Sequence, residues 1–163
     1  MKGKEEKLEH NIIMQCGNVL RKVSHIRKLQ VSGSDKEIRT LLDEIETNLH
    51  TIQKYEIKVK KIGQRVNAEL KELRDADLLK FHNEARAKEK ELEQHFKVCM
   101  DLEVRVKDYM NKHFEGKIDV LLDLELHMRK IQNLANDIIN LEKQMEIQLK
   151  KIRELSKKLA HQL

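Results

Sequence analysis

Residues 34–114 read SDKEIRTLLDEIETNLHTIQKYEIKVKKIGQRVNAELKELRDADLLKFHNEARAKEKELEQHFKVCMDLEVRVKDYMNKHF, and this stretch decides the fold. It contains no proline and a single glycine, Gly63, and an apolar residue returns about every three to four positions. That spacing places the apolar side chains on one face of an α-helix. An uninterrupted helix of this stretch would be about 120 Å long at 1.5 Å per residue.

Two shorter amphipathic segments flank this stretch. The first covers about residues 4–30 and is followed by a turn, after which Ser34 and Glu37 have the spacing of a capping box. The second covers about residues 118–162 and follows Gly116, which suits the left-handed position just past a helix end. The pattern therefore predicts three helical segments, about 4–30, 35–114 and 118–162, separated by tight turns.

The central segment has one weak point, at residues 74–77. The apolar pattern thins after Arg74, and Asp75 or Asp77 could cap a new helix there. Because no glycine or proline forces a turn, we expect the helix to continue through this point. A break near residue 75 is the alternative.

These segments predict an all-α fold in which residues 1–163 form a single coiled-coil unit. We expect elongated antiparallel helical hairpins, with both flanking segments folded back on one long central helix. A rod two helices thick would bury only part of each apolar stripe, so its leftover apolar surface would be a docking face for other helices. If the central helix breaks, a compact four-helix bundle is the alternative.

The composition is typical of long helices and coiled coils. Charged residues make up 37% and hydrophobic residues 39% of the 163, with no proline or tryptophan. The 33 Lys and Arg against 28 Asp and Glu permit a weak attraction to acidic surfaces. Cys16 and Cys99 are lone thiols, and no apolar run approaches a signal core or a membrane span. We expect a soluble protein in the reducing cytoplasm, with the nucleus as an alternative.

Patterns that carry catalytic or metal chemistry are not supported. None of the eight histidines follows a glutamate by three positions, and no His-Glu-x-x-His occurs, so we expect surface histidines. The dispersed glycines build no phosphate loop, and both cysteines lie on or near apolar stripes. The run from Arg86 to Glu91 is predicted to be a solvated helix face. The chain is therefore predicted to be no enzyme, with no metal and no cofactor.

Two features remain as candidate binding sites, both in the last segment. The first is an apolar seam, predicted as the main contact line for a partner helix, with flanking charges that choose the partner. It consists of Leu134, Ile138, Leu141, Met145, Ile152, Leu155 and Leu159. The second is a basic cluster, which could contact an anionic membrane or a cytoskeletal polymer. It consists of Lys150, Lys151, Arg153, Lys157 and Lys158. Specific nucleic-acid binding is not expected, because aromatic side chains for base stacking are nearly missing.

In overall style the chain resembles small helical subunits of vesicle-tethering, organelle-positioning, centrosomal or kinetochore complexes. We therefore predict a non-enzymatic scaffold or adaptor subunit of a multi-protein cytoplasmic assembly. Its partners would be other coiled-coil proteins, in a hetero- or homo-oligomer held by helix–helix pairing. The alternative is a peripheral binder of anionic membranes or of the cytoskeleton, acting through basic helix faces.

Overall fold

A computed structural model describes residues 2–32, 35–112 and 117–162 of the chain. These form four α-helices: α1 (Lys2–Ser32), α2 (Asp35–Leu73), α3 (Ala76–Lys112) and α4 (Lys117–Gln162). The all-α prediction is confirmed. The predicted capping serine, Ser34, and the predicted helix-ending glycine, Gly116, lie outside the described residues.

The central segment is two helices rather than one. Arg74 adopts the left-handed conformation, with φ of 52°. Asp75 then caps α3, since its Oδ1 accepts a hydrogen bond from the backbone N–H of Leu78 at 3.0 Å. The expectation of a continuous helix is therefore wrong, and the break near residue 75 is what the structure has. Burial of the apolar faces outweighs the left-handed residue, which costs roughly 1–2 kcal/mol.

The four helices form an antiparallel bundle in place of a long rod. Each packs against two neighbours, in the pairs α1–α2, α2–α3, α3–α4 and α1–α4. The α1–α4 pair shows the direction: Arg27 contacts Glu125 at 3.1 Å at one end, and Lys143 lies 3.9 Å from Glu6 at the other. The bundle alternative is therefore the arrangement found.

The apolar stripes of all four helices meet in one core, and a smaller cluster adjoins it. The small cluster joins α2, α3 and α4 through Val66, Leu70, Leu78 and Met145. The three-to-four spacing of the stripes is what turns each of them toward the common axis.

The last part of α4 leaves the bundle. Along this helix the buried positions stop at Met145, while Leu149 and Ile152 are half-buried. Residues 153–162 are all exposed. We call residues 150–162 the extension. Across the part of the chain described, no helix is long and apolar enough to cross a membrane.

Candidate functional site

A layer of ionisable side chains crosses the interior of the bundle. All four helices contribute, and glutamates outnumber the other residue types. We call it the carboxylate layer. It comprises Glu5 and Glu9 of α1, Glu56 of α2, His82, Arg86 and Glu89 of α3, and Glu142 of α4.

Arg86 is the guanidinium at the centre of this layer. Its Nη2 donates to Oε1 of Glu5 at 3.3 Å, and its Nη1 donates to Glu89. The guanidinium lies directly over Gly63 of α2, where an added Cβ would stand 1.3 Å from Nη2. Gly63 therefore has a structural role, because any side chain there would displace the guanidinium that pairs with both Glu5 and Glu89.

Several polar atoms of the layer are buried without a hydrogen-bond partner among the described residues. They are Oε2 of Glu9, Oε1 of Glu56, Nε2 of His82 and Nε of Arg86. The carboxyl groups of Glu89 and Glu142 each share a hydrogen bond with Glu5, which requires one carboxyl of the pair to be protonated. Glu9 is 1% exposed and Glu142 is 6% exposed. A buried carboxylate without donors is costly, so the protonated form is favoured.

The pKa values follow from this burial. Burial, together with the charge of Glu93, raises the pKa of Glu56 to about 7. Burial raises the pKa of Glu89 to about 8, although Arg86 acts to lower it. Burial, with smaller contributions from the charges of Glu5 and Glu9, raises the pKa of Glu142 to about 10. The layer therefore holds protons near neutral pH that the same side chains lose when exposed to water.

The layer opens to solvent through a groove between α2 and α3, the least extensively packed pair of neighbours. We call it the α2–α3 groove. It has a volume of about 680 Å³. Glu9, Glu56 and Glu89 line it together with apolar walls that include Leu92 and Phe96. Such a groove suits an apolar group that carries an ammonium or guanidinium, because the walls bury the former and the orphaned oxygens accept from the latter.

Metal-ligating groups and the two thiols are the remaining candidates for chemistry. Across residues 2–32, 35–112 and 117–162, no three ligating groups are placed to hold a metal ion. Cys16 and Cys99 are buried, and burial raises the pKa of the Cys99 thiol to about 12. Neither thiol is therefore placed as a reactive nucleophile.

The structure divides the predicted contact line in α4 into two parts. Leu134, Ile138, Leu141 and Met145 are buried in the chain's own core. Ile152 is half-buried, whereas Leu155 and Leu159 are each 60% exposed. A partner could therefore reach only the end of this line without opening the bundle. The five members of the basic cluster are all exposed on the extension.

Two expectations about α3 are wrong. The run from Arg86 to Glu91 is not uniformly solvated, since Arg86 and Glu89 face the interior. His82 is buried rather than on the surface. The signal was in the spacing: His82 and Glu89 continue the apolar seam between Leu78 and Leu92. In these cases, a polar residue at a seam position marked a buried polar layer.

The chain matches no known family model, no curated protein and no solved structure.

Proposed function

We propose that this chain is a non-enzymatic helical adaptor subunit that pairs with a helix of another protein through its extension. The class of assembly that fits best is a cytoplasmic complex of the vesicle-tethering, organelle-positioning, centrosomal or kinetochore kind. The observation that carries the proposal is the exposure of Leu155 and Leu159, each at 60%. They continue, beyond the end of the bundle, the same stripe that is buried further up α4.

The chemistry of the extension indicates the kind of helix it would accept. Ile152, Leu155 and Leu159 are spaced by three and four residues, so they share one face. Fully burying a leucine is worth roughly 1.5–3 kcal/mol, which gives a second helix a reason to cover this face. Five basic side chains and one acidic side chain, Glu154, surround the stripe. A partner helix with an apolar stripe and acidic flanks would complement both features.

The test is a pair of matched double substitutions on α4. Leu155→Asp with Leu159→Asp places charges on the proposed contact face. Leu122→Asp with Leu126→Asp is the control, because these leucines are 41% and 51% exposed and have the same four-residue spacing. Tagged full-length chains are purified from cells, and co-purifying proteins are quantified by mass spectrometry.

We expect the extension variant to lose its co-purifying proteins and the control to keep them, with equal helicity by circular dichroism. Retention of the same proteins by the extension variant would rule out the extension as the contact face.

A second candidate is favoured by the exposure of all five basic side chains of the extension. A basic amphipathic helix with exposed leucines can lie on an anionic membrane. Flotation of the full chain with phosphatidylserine vesicles, at low and high salt, tests this. Salt-sensitive flotation that is lost on neutralising Lys150, Lys151, Lys157 and Lys158 would support membrane binding over helix pairing.

A further inference from the structure

We propose that His95 and His127 form a two-histidine site for a divalent transition-metal ion, with Cu²⁺ and Ni²⁺ as the ions that fit it. The site joins α3 to α4 and uses no residue of the carboxylate layer or of the extension. It goes beyond the proposed function and does not depend on it.

The two imidazole rings meet nitrogen to nitrogen across the contact between α3 and α4. Nδ1 of His95 lies 2.8 Å from Nδ1 of His127. The rings are tilted by 40°, and their centroids are 5.0 Å apart. Two bare ring nitrogens repel each other at this distance, so one ring must carry a proton between them. The fold thus holds two potential metal ligands, from different helices, on either side of a single proton.

The distance between the two nitrogens indicates which ions could replace that proton. An ion at the usual metal–imidazole length of about 2.0 Å from nitrogens 2.8 Å apart would see them at an angle of about 90°. A tetrahedral ion needs its ligands about 3.3 Å apart at the same bond length. Right angles between ligands are typical of square-planar and tetragonal sites, which Cu²⁺ and Ni²⁺ prefer.

Binding requires small movements of the two rings. Each ring turns about χ2, a broad torsion in histidine, and aims its Nδ1 lone pair at an ion beside the line that joins the nitrogens. The proton between the rings moves to Nε2 of the ring that carried it, so both histidines ligate as neutral imidazoles.

A carboxylate lies one helical turn before each histidine. Oε1 of Glu91 lies 3.9 Å from Nε2 of His95, on the side of the ring that faces away from His127. Asp123 has the same spacing before His127. Burial and the charges of His95 and Lys130 lower the pKa of His127, while Asp123 opposes them. Histidines that bind metals commonly donate their second N–H to such a carboxylate, which leaves the other nitrogen free to ligate.

The surrounding core orients both rings and leaves the site open to water. Phe96 and Met128, the next residues along each helix, are buried, and α3 and α4 are the most extensively packed pair of helices. Both histidines are half-buried, and the His95 side chain is 18% exposed. Within the described ranges no third protein ligand joins them. Water therefore fills the remaining positions of a bound ion, as it does in metal sites that keep open positions.

The test measures metal binding by the full chain and by three single variants. His95→Gln and His127→Gln each remove one ligand. His10→Gln is the matched control, because Oε1 of Glu6 lies 3.8 Å from Nε2 of His10 with the same spacing on one helix. Isothermal titration with NiCl₂ at pH 7.5 gives the affinity, and circular dichroism checks the helicity of each variant. Electron paramagnetic resonance with less than one equivalent of Cu²⁺ counts the nitrogens bound to the ion.

We expect a single saturable Ni²⁺ site in the wild type and in His10→Gln. The dissociation constant should be at least about tenfold larger in His95→Gln and in His127→Gln. The Cu²⁺ spectrum should show two imidazole nitrogens in the wild type and fewer in these two variants.

The wild-type spectrum tests the site even if a variant fails to fold. A wild type that binds Ni²⁺ no more tightly than His95→Gln and His127→Gln would overturn the inference, and so would a wild-type Cu²⁺ spectrum without two imidazole nitrogens. The two rings would then share a proton and nothing more.

Discussion

The guanidinium of Arg86 and the missing side chain of Gly63 form one structural unit. Gly63 leaves the space, Arg86 fills it, and Glu5 and Glu89 accept its hydrogen bonds. Gly17 of α1 is the natural comparison, because a Cβ added there would meet only ordinary contacts at 3.7 Å. The same substitution should therefore have different effects at the two glycines.

We predict that Gly17→Ala stabilises the protein by roughly 0.5–1 kcal/mol at any pH, because alanine is the better helix former. Gly63→Ala should instead be destabilising by about 1–2 kcal/mol at pH 8, because the displaced guanidinium leaves buried carboxylates without their cation. At pH 5.5 its cost should be smaller, since Glu89, with a pKa of about 8, is then protonated. Urea unfolding of both variants at both values of pH checks this. Equal costs of Gly63→Ala at the two pH values would contradict the role given to Arg86.

The carboxylate layer also predicts how the stability of the wild type depends on pH. Glu89 and Glu142 have folded-state pKa values of about 8 and about 10, above the value of 4.5 for an exposed glutamate. Their contribution is fully present below pH 4.5 and is lost as pH rises toward the folded values. Over this interval, each of the two groups lowers the free energy of unfolding by about 1.4 kcal/mol for every unit that the pH rises.

Other titrating groups of the layer restrict the pH range in which the glutamates alone change the stability. Burial lowers the pKa of His82 to about 4, so its contribution is lost as pH falls from 6.5. Lys60 and Lys97 act to lower the pKa of Glu56, which reaches about 7. Between pH 6.5 and 8 the glutamates therefore dominate, and Tm should fall as pH rises.

Glu89→Gln should flatten this fall, because an amide has no proton to lose. The expected change is up to about 1.4 kcal/mol per pH unit, which corresponds to roughly 2–4 °C in Tm for each kcal/mol. Glu84→Gln, at an exposed position on the same helix, is the control and should follow the wild type. Thermal unfolding monitored at 222 nm across pH 6.5 to 8 is the measurement. A wild-type Tm that does not fall with pH in this window would contradict burial of ionisable carboxyls.

Among the elements, the turn between α2 and α3 is where the fold departs most from what helical periodicity predicts. Arg74 holds a left-handed conformation that favours glycine, and Asp75 caps the helix that follows. The cap explains how the chain reverses without glycine or proline. The strain at Arg74 is tolerated because the helices on both sides bury their apolar faces.

We predict that Arg74→Gly stabilises the bundle by up to about 1 kcal/mol, since glycine adopts positive φ without a steric penalty. Asp75→Ala should destabilise it by about 1 kcal/mol, because the N–H of Leu78 loses its acceptor. Denaturant midpoints of the two variants should therefore move in opposite directions. Midpoints that move in the same direction would contradict the left-handed conformation of Arg74 or the capping role of Asp75.

At the scale of the whole molecule, the bundle predicts a short particle. α4 is the longest helix, and its 46 residues measure about 70 Å. A continuous helix over 34–114 would instead give a particle of about 120 Å. Small-angle scattering of the monomer at low concentration should give a maximum dimension near the smaller value. A dimension near 120 Å in a particle of monomer mass would favour the rod.

The sequence by itself determined the helical secondary structure, apart from the break between α2 and α3, and most of the core. Spacings of three and four predicted which side chains turn inward, and Ile38, Leu42, Ile45, Leu49 and Ile52 are indeed buried. These inferences succeed because helical periodicity is local, fixed by 3.6 residues per turn.

Only the tertiary structure decided what covers each stripe. The whole seam of α4 is predicted as a contact line for a partner helix, yet Met145 is covered by the chain's own helices and Leu159 is not. Likewise, the sequence predicts a solvated Arg86, whereas in the fold its guanidinium packs against Gly63 of α2. Burial and pairing between helices depend on contacts between residues far apart in the chain. Such contacts are set by how the helices pack, and no local spacing encodes them.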